Sequence, residues 1–188
     1  MNIKSKQQIL DELVKLKPSI IAIDGEDGVG KTTNISPMVA SALNASAFST
    51  DDYLDKKKDG YVTFVDYEKL KQEIIKVKKS RPIIIEGMMT LLILEKLELI
   101  PDYFIYVCSQ MWYDEWLGDN GNYSKSFEEI VSETEKRVSI VNEVITPTSK
   151  WTLRGFRKEV YQYTYDRRPF EKAQAVLIVS HNSEGFIL

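Results

Sequence analysis

One glycine-rich stretch of the sequence has the residue types and spacing of a phosphate-binding loop. It follows a short apolar run and consists of Gly25, Glu26, Asp27, Gly28, Val29, Gly30, Lys31, Thr32 and Thr33. The glycines of this G-x-x-x-x-G-K-T pattern let the backbone curl around an anion with its amides turned inward. Lys31 can bring a mobile positive charge to the β- and γ-phosphates, and the hydroxyl of Thr32 can bind Mg²⁺. The pattern therefore predicts a site for the phosphates of a nucleotide.

Carboxylates follow two other apolar segments. Asp51 and Asp52 follow 45–49 after a single threonine, and Glu86 ends a run of three isoleucines. Asp51 is the better candidate to accept the proton of an attacking hydroxyl or to hold it in line, and Asp52 is the alternative. Glu86 can order Mg²⁺, directly or through water, or bind substrate hydroxyls. Two structural interpretations remain open. The Asp pair could form a turn held by Asx hydrogen bonds, and Glu86 could end a strand at the solvent.

Acidic and aromatic side chains accompany these candidates. Glu26 and Asp27 lie within the loop itself, so we expect their side chains to point away from the phosphates or to help hold a cation. Tyr53 and Tyr61 follow Asp51 in the sequence. They either line a pocket for the phosphate acceptor or pack in the core.

These residues must be positioned by strands that alternate with helices along the chain. Short apolar runs predict strands at 19–23, 45–49, 81–87, 103–107 and 175–179. Apolar residues at helical spacing predict helices at 9–16, 31–43, 66–79, 90–97, 112–116, 127–145 and 151–165. Pro37 is unfavourable within the second of these helices and could kink it or limit its first turn. The alternation predicts an α/β fold of three αβα layers, with about five parallel strands whose carboxyl ends bind the ligand.

Length, charge and composition exclude several other classes of protein. The 188 residues predict one domain, 1–188, with a net charge of −3 from 25 basic and 28 acidic residues. That balance offers no basic field for a nucleic acid. One cysteine and one histidine cannot build a disulfide framework, a Cys/His zinc site or a Ser-His-Asp triad. Polar first residues, and no apolar run of roughly 20 residues, predict a cytoplasmic protein that does not cross a membrane.

The sequence around the loop narrows the class of nucleotide-binding protein. It has no Asn-Lys-x-Asp motif for guanine recognition, which disfavours a GTPase. A motor or helicase would need a longer chain with a second module. A kinase that acts on a small molecule fits the length.

Five segments together have the order of motifs found in one known family. They are 18–25, 30–33, 49–53, 82–87 and 169–173, and they are spread over most of the chain. In this order they resemble the uridine kinase/phosphoribulokinase-type branch of P-loop kinases. The resemblance implies a P-loop NTPase fold, Mg-ATP as donor and a hydroxyl of a nucleoside or other small metabolite as acceptor. It also implies Asp51 as the catalytic carboxylate. The residues expected to bind the acceptor are Asp51, Asp52, Tyr53, Glu86 and Arg168.

A helical, arginine-bearing lid over the phosphates is also implied by the resemblance. Residues 111–122, where such kinases usually carry basic side chains, contain no Arg or Lys. We place the lid at about 111–158 and expect Arg154 and Arg157, one helical turn apart, to meet the phosphates. The alternative is an exposed basic helix face. Arg168 either clamps a phosphate or pairs with surface acids.

Two other functions stay open. The loop 25–33 also resembles that of thymidylate kinases, which would make the protein a nucleotide kinase. That family predicts an Asp-Arg-Tyr-type element after the third strand, where this chain has 86–88, Glu-Gly-Met. The unusual lid favours, instead, a nucleotide-binding regulatory protein with little transferase activity. A homodimer is compatible with each of these functions.

Overall fold

Within the described part of the chain, the five predicted strands form one parallel sheet. The computed structural model describes residues 2–55, 58, 60–117, 123, 125–144 and 155–179. The strands are β1 (Ile20–Gly25), β2 (Ser46–Ser49), β3 (Ile83–Glu86), β4 (Tyr103–Ser109) and β5 (Ala175–Val179). Their order across the sheet is β2-β3-β1-β4-β5, and each neighbouring pair is parallel. β1 is therefore the central strand, and its carboxyl end opens into the crevice where ligands of such sheets bind.

Helices cover both faces of this sheet. They are α1 (Lys6–Leu16), α2 (Ser36–Leu43), α3 (Tyr67–Lys78), α4 (Thr90–Leu97), α5 (Gln110–Leu117), α6 (Phe127–Val144), α7 (Phe156–Arg167) and α8 (Pro169–Lys172). Successive strand residues point to opposite faces. Ile21 and Ile23 pack with α1 and α2, whereas Ile20 and Ala22 pack in the layer that contains α3, α4 and α7. The predicted three-layer arrangement is confirmed. None of the described helices is both long and apolar enough to cross a membrane.

The segment after the glycine-rich loop begins as a widened helical turn. Lys31–Ile35 forms a π-type turn, in which the amide of Ile35 donates to the carbonyl of Gly30 at 3.1 Å. Pro37 explains the widening, because it lacks an N–H and its ring would clash with a carbonyl of a regular α-helix. In the structure it lies in the first turn of α2, where proline is tolerated. The helix predicted at 31–43 therefore stays helical throughout, with a π-type first turn that leads directly into α2.

α5, α6 and α7 pack against one another around one carboxylate. Glu115 of α5 accepts hydrogen bonds from Thr134 of α6 (3.0 Å) and Tyr161 of α7 (3.2 Å), and from Arg137 of α6. The side chain of Glu115 is only 9% exposed, so these partners offset the cost of removing its charge from water. The described helices of the predicted lid region are thus tied to the body of the protein.

The start of α7 differs from the prediction. Gly155 has φ 53° and ψ −133°, a backbone conformation outside the helical region, and the helix begins at Phe156 rather than at 151. Arg154 lies outside the described residues. The prediction that it shares a helix face with Arg157 therefore stays a prediction.

Candidate functional site

The glycine-rich loop lies at the carboxyl end of β1. At Gly25, β1 runs so close to β4 that an added Cβ would lie 1.8 Å from the carbonyl oxygen of Val107. Gly28 and Gly30 have φ values of +74° and +81°, in the left-handed region that glycine adopts without strain. Left-handed positions of this kind turn successive backbone amides toward one side, which is the arrangement that binds phosphate oxygens.

The side chain of Lys31 folds back across the loop. Its Nζ donates hydrogen bonds to the carbonyl oxygens of Gly25 (3.1 Å) and Glu26 (2.6 Å). Burial lowers the pKa of Lys31, and nearby carboxylates oppose that effect. The carboxylates are those of Asp24, Asp27, Glu86 and Asp51. Because so many negative charges surround Lys31, a phosphate group in this loop would need a further cation.

Thr32 and Glu86 have the chemistry to hold that cation. The register of β1 with β3 pairs Ile23 with Glu86, so the carboxylate emerges beside the loop. The hydroxyl of Thr32 donates to Oε1 of Glu86 at 2.9 Å. Oε2 of Glu86 is buried and has no hydrogen-bond partner among the described residues, although a buried carboxylate oxygen normally has one. This unpaired oxygen and the adjacent hydroxyl are hard ligands that fit Mg²⁺.

Further ligands for such an ion would come from the nucleotide. Among the described residues, no group of three or more His, Cys, Asp or Glu side chains could hold a metal ion. Mg²⁺ in nucleotide sites is ordinarily bound by one or two protein oxygens together with phosphates and waters.

The two acidic residues inside the loop bind to protein amides. Oε2 of Glu26 accepts a hydrogen bond from the amide of Ser109, at the end of β4, at 2.8 Å. Oδ1 of Asp27 accepts one from the amide of Gly28, also at 2.8 Å. Glu26 thereby connects the loop to the neighbouring strand, and Asp27 stabilises the turn that leads to Gly28.

Asp51 lies across a cavity from this loop. It follows β2 in a 3₁₀ turn, Thr50–Tyr53, and lines a cavity of about 320 Å³ together with Asp27. The other walls are Leu54, Lys58, Gly60, Tyr61, Met88 and Phe156. Oδ1 of Asp51 accepts a hydrogen bond from the phenol of Tyr61. The cavity therefore presents a fixed carboxylate to a small molecule that reaches the loop.

Asp52 and Tyr53 lie beside a neighbouring cavity. They line a cavity of about 410 Å³, next to Asp66 and Lys69 at the start of α3, which shares Leu54 and Lys58 with the Asp51 cavity. The phenol of Tyr53 donates to Oε2 of Glu73 at 2.6 Å, and its pKa is raised by burial and by that carboxylate. Asp52 and Tyr53 thus line the cavity next to the one that Asp51 lines.

One buried carboxylate at the site was not assigned a role from the sequence. Asp24, the residue before the loop, is 1% exposed. It accepts hydrogen bonds from the amides of Gly25 (2.7 Å) and Thr90 (3.1 Å) and from the phenol of Tyr163. Burial raises the pKa of Asp24 to about 6, against the lowering effect of these hydrogen bonds and of Lys31. Asp24 therefore joins the loop, the start of α4 and the middle of α7.

The two described arginines that the sequence predicts at the phosphates, Arg157 and Arg168, lie near opposite ends of α7. Arg157 is exposed in the first turn of α7, next to Phe156 of the Asp51 cavity. Arg168 directly follows α7, and its guanidinium lies 5.3 Å from the ring centre of Tyr123 and 3.6 Å from Glu171. The predicted role of Arg168 at a phosphate stays a prediction. Arg154 is outside the described residues.

The sheet order and the loop with its Lys-Thr ending are consistent with the predicted three-layer fold of the P-loop NTPase type. No protein-family model and no curated protein sequence matches the chain. One similar solved structure is described as a possible uridine kinase from Bacillus stearothermophilus. It has 15% sequence identity and a TM-score of 0.47, over 91% of this chain and 98% of that one. Similarity at this level assigns neither a family nor a substrate.

Proposed function

We propose that this protein is an ATP-dependent kinase that transfers the γ-phosphate of Mg-ATP to a hydroxyl of a nucleoside or other small metabolite. The observation that carries the proposal is the cavity shared by Asp51 and Asp27. Asp27 contributes the glycine-rich loop to its lining, and Asp51 contributes a carboxylate from the turn after β2. An acceptor hydroxyl in this cavity would meet a base on one side and a phosphate on the other.

The glycine-rich loop would bind the nucleotide. Backbone amides at the left-handed glycines would hold phosphate oxygens, and Lys31 would leave the carbonyls of Gly25 and Glu26 to bind them as well. Thr32 and Glu86 would hold Mg²⁺, which when bound neutralises negative charge on the phosphates. That neutralisation matters here because the loop is surrounded by carboxylates.

Asp51 would act on the acceptor. Its carboxylate would accept the hydroxyl proton while the acceptor oxygen forms a bond to the γ-phosphorus, and the bond between that phosphorus and the leaving ADP oxygen breaks. Arg157, beside the cavity wall, and Arg154 are our candidates to offset the charge on the transferred group.

A nucleotide kinase is the second candidate. Lys58 lines the Asp51 cavity, 4.9 Å from the ring centre of Phe64 and 3.7 Å from a carboxylate oxygen of Asp55. A cation in that wall favours an acceptor that already carries a phosphate. Acceptors with and without a phosphate therefore belong in the same assay.

The test is ADP release from Mg-ATP in the presence of nucleosides, nucleoside monophosphates, vitamin precursors and sugar phosphates. We expect release that depends on one acceptor class and disappears in Lys31→Ala. Lys71→Ala, which removes an exposed lysine near Glu98 on the surface, is the matched control and should behave as wild type. Release without any acceptor would indicate an ATPase. ATP binding with no release across the panel would favour the regulatory alternative.

A further inference from the structure

Tyr61 lies beside Asp51 and contacts three parts of the structure, which are the turn after β2, the turn after β3 and the start of α7. Its side chain is 2% exposed, and its phenol donates to Oδ1 of Asp51. The phenol oxygen of Tyr61 also lies 2.6 Å from the hydroxyl oxygen of Thr50 and accepts a hydrogen bond from the amide of Met88 at 3.4 Å. One hydroxyl group thus connects the turn after β2 with the turn after β3.

The space around that hydroxyl is tightly filled. An added Cβ on Gly87 would lie 1.8 Å from the hydroxyl oxygen of Thr50 and 2.9 Å from the phenol oxygen of Tyr61. The absence of a side chain at Gly87 is what lets the phenol reach Asp51. Burial and the charge of Asp51 both raise the pKa of Tyr61, so the phenol stays protonated and remains a donor.

The third part is the start of α7. The amide of Tyr61 donates to Oε2 of Glu159 at 3.0 Å, and the Tyr61 ring lies 5.5 Å from that of Phe156, centre to centre. Both partners come from the first turn of α7. α7, whose first turn lies at the end of the predicted lid, therefore contacts the residue that donates to the candidate base.

We infer that Tyr61 is a positioning residue that fixes the carboxylate of Asp51, and that α7 holds Tyr61 in place through Glu159 and Phe156. The inference rests on the proposed function. The phenol binds Oδ1, so Oδ2 is the oxygen that can receive an acceptor hydroxyl. A carboxylate held in one orientation is ready for the reaction, whereas a rotating one must be ordered at each turnover.

The kinetic test compares Tyr61→Phe with a matched variant. Tyr103→Phe removes the same kind of bond, from a phenol to Glu12 at 2.5 Å, at the opposite end of the sheet. We expect Tyr61→Phe to lower kcat about 10- to 100-fold, the effect of losing a hydrogen bond to a charged group, with KM for Mg-ATP unchanged. Tyr103→Phe should keep the wild-type kcat. An unchanged kcat in Tyr61→Phe, with an active wild type, overturns the inference and leaves the proposed function standing.

A second measurement does not depend on activity. The three-bond couplings of the Asp51 side chain, measured by NMR, report whether it occupies one rotamer. We expect one rotamer in the wild type and in Tyr103→Phe, and averaging in Tyr61→Phe. If no acceptor is ever phosphorylated, the proposed function fails, and these couplings alone decide the inference. Identical couplings in the wild type and Tyr61→Phe would overturn it.

A variant in α7 tests the other half of the inference. Glu159→Ala removes the acceptor for the Tyr61 amide while leaving the phenol in place. It should also lower kcat and average the Asp51 couplings, and it substitutes for Tyr61→Phe if that variant does not fold. Wild-type kcat and couplings in Glu159→Ala would overturn the role of α7.

Discussion

Changing the pH should alter the stability of this protein through one buried carboxylate. Asp24 lies beneath the glycine-rich loop, and burial raises its pKa to about 6 from an ordinary value of 3.8. The unfolded chain releases this proton near the ordinary value, whereas the folded chain keeps it until about 6. Between these two pH values the unfolded state therefore binds fewer protons, and the free energy of unfolding falls as the pH rises.

The size of the effect follows from the difference between the two pKa values. About two pKa units at about 1.4 kcal/mol each give a loss of about 3 kcal/mol once both states are ionised. The contribution is fully present below the unfolded pKa and is lost above about pH 6. Because part of the unfolded state is already ionised at pH 4, the change between pH 4 and pH 8 should be about 2–3 kcal/mol.

The assay is denaturant unfolding of the wild type and Asp24→Asn at intervals from pH 4 to pH 8. Asparagine does not ionise, and its loss of one acceptor oxygen costs the same at each pH. The stability of Asp24→Asn minus that of the wild type should therefore rise by about 2–3 kcal/mol over this range. Asp11→Asn, an exposed aspartate on α1 bonded by Gln7, controls for the change in net charge. If the stability of Asp24→Asn relative to the wild type changes with pH no more than that of Asp11→Asn does, the reasoning is refuted.

Two further predictions concern the loop and the metal ligands. Gly25→Ala should lower the free energy of unfolding by about 2–4 kcal/mol, because its Cβ would meet the carbonyl of Val107. In Gly28→Ala the added Cβ would meet nothing within 4 Å. Its free energy of unfolding should therefore fall only by about 1–2 kcal/mol, the cost of a left-handed alanine. Equal losses in denaturant unfolding would contradict this. Glu86→Gln should raise the Mg²⁺ concentration for half-maximal ADP release about tenfold. An unchanged Mg²⁺ titration would exclude Glu86 from the metal site.

The sheet and the loop could be predicted because their signals are local in the sequence. Strands buried on both faces appear as apolar runs, as in Ile83–Glu86, and each run ends at a glycine or a polar residue. The phosphate loop is contiguous, so the spacing from Gly25 to Lys31 already contains most of its geometry. Pro37 indicated that the helix would depart from regular geometry. It did not indicate that a π-type turn would relieve the clash between the proline ring and a helix carbonyl.

The connections between distant segments could not be predicted in the same way. Asp24 and Tyr163 are 139 residues apart, and they meet only because α7 packs over the end of β1. Tyr61 fitted either a pocket or the core, and nothing in the sequence showed that its phenol would reach Asp51. Tyr53 is much nearer to Asp51 in the sequence, yet its phenol donates to Glu73 on α3. Such choices depend on which helix packs against each turn, and the residue pattern does not specify that.

The most direct test of the central claim is single-turnover phosphate transfer by Asp51→Asn, with the Kd for Mg-ATP measured by calorimetry on the same preparation. The acceptor is the one identified by ADP release. If Asp51 is the base across the cavity from the phosphate loop, transfer should slow by about 10²- to 10⁴-fold, while the Kd stays within about twofold of the wild type. Transfer at the wild-type rate in Asp51→Asn would contradict the account.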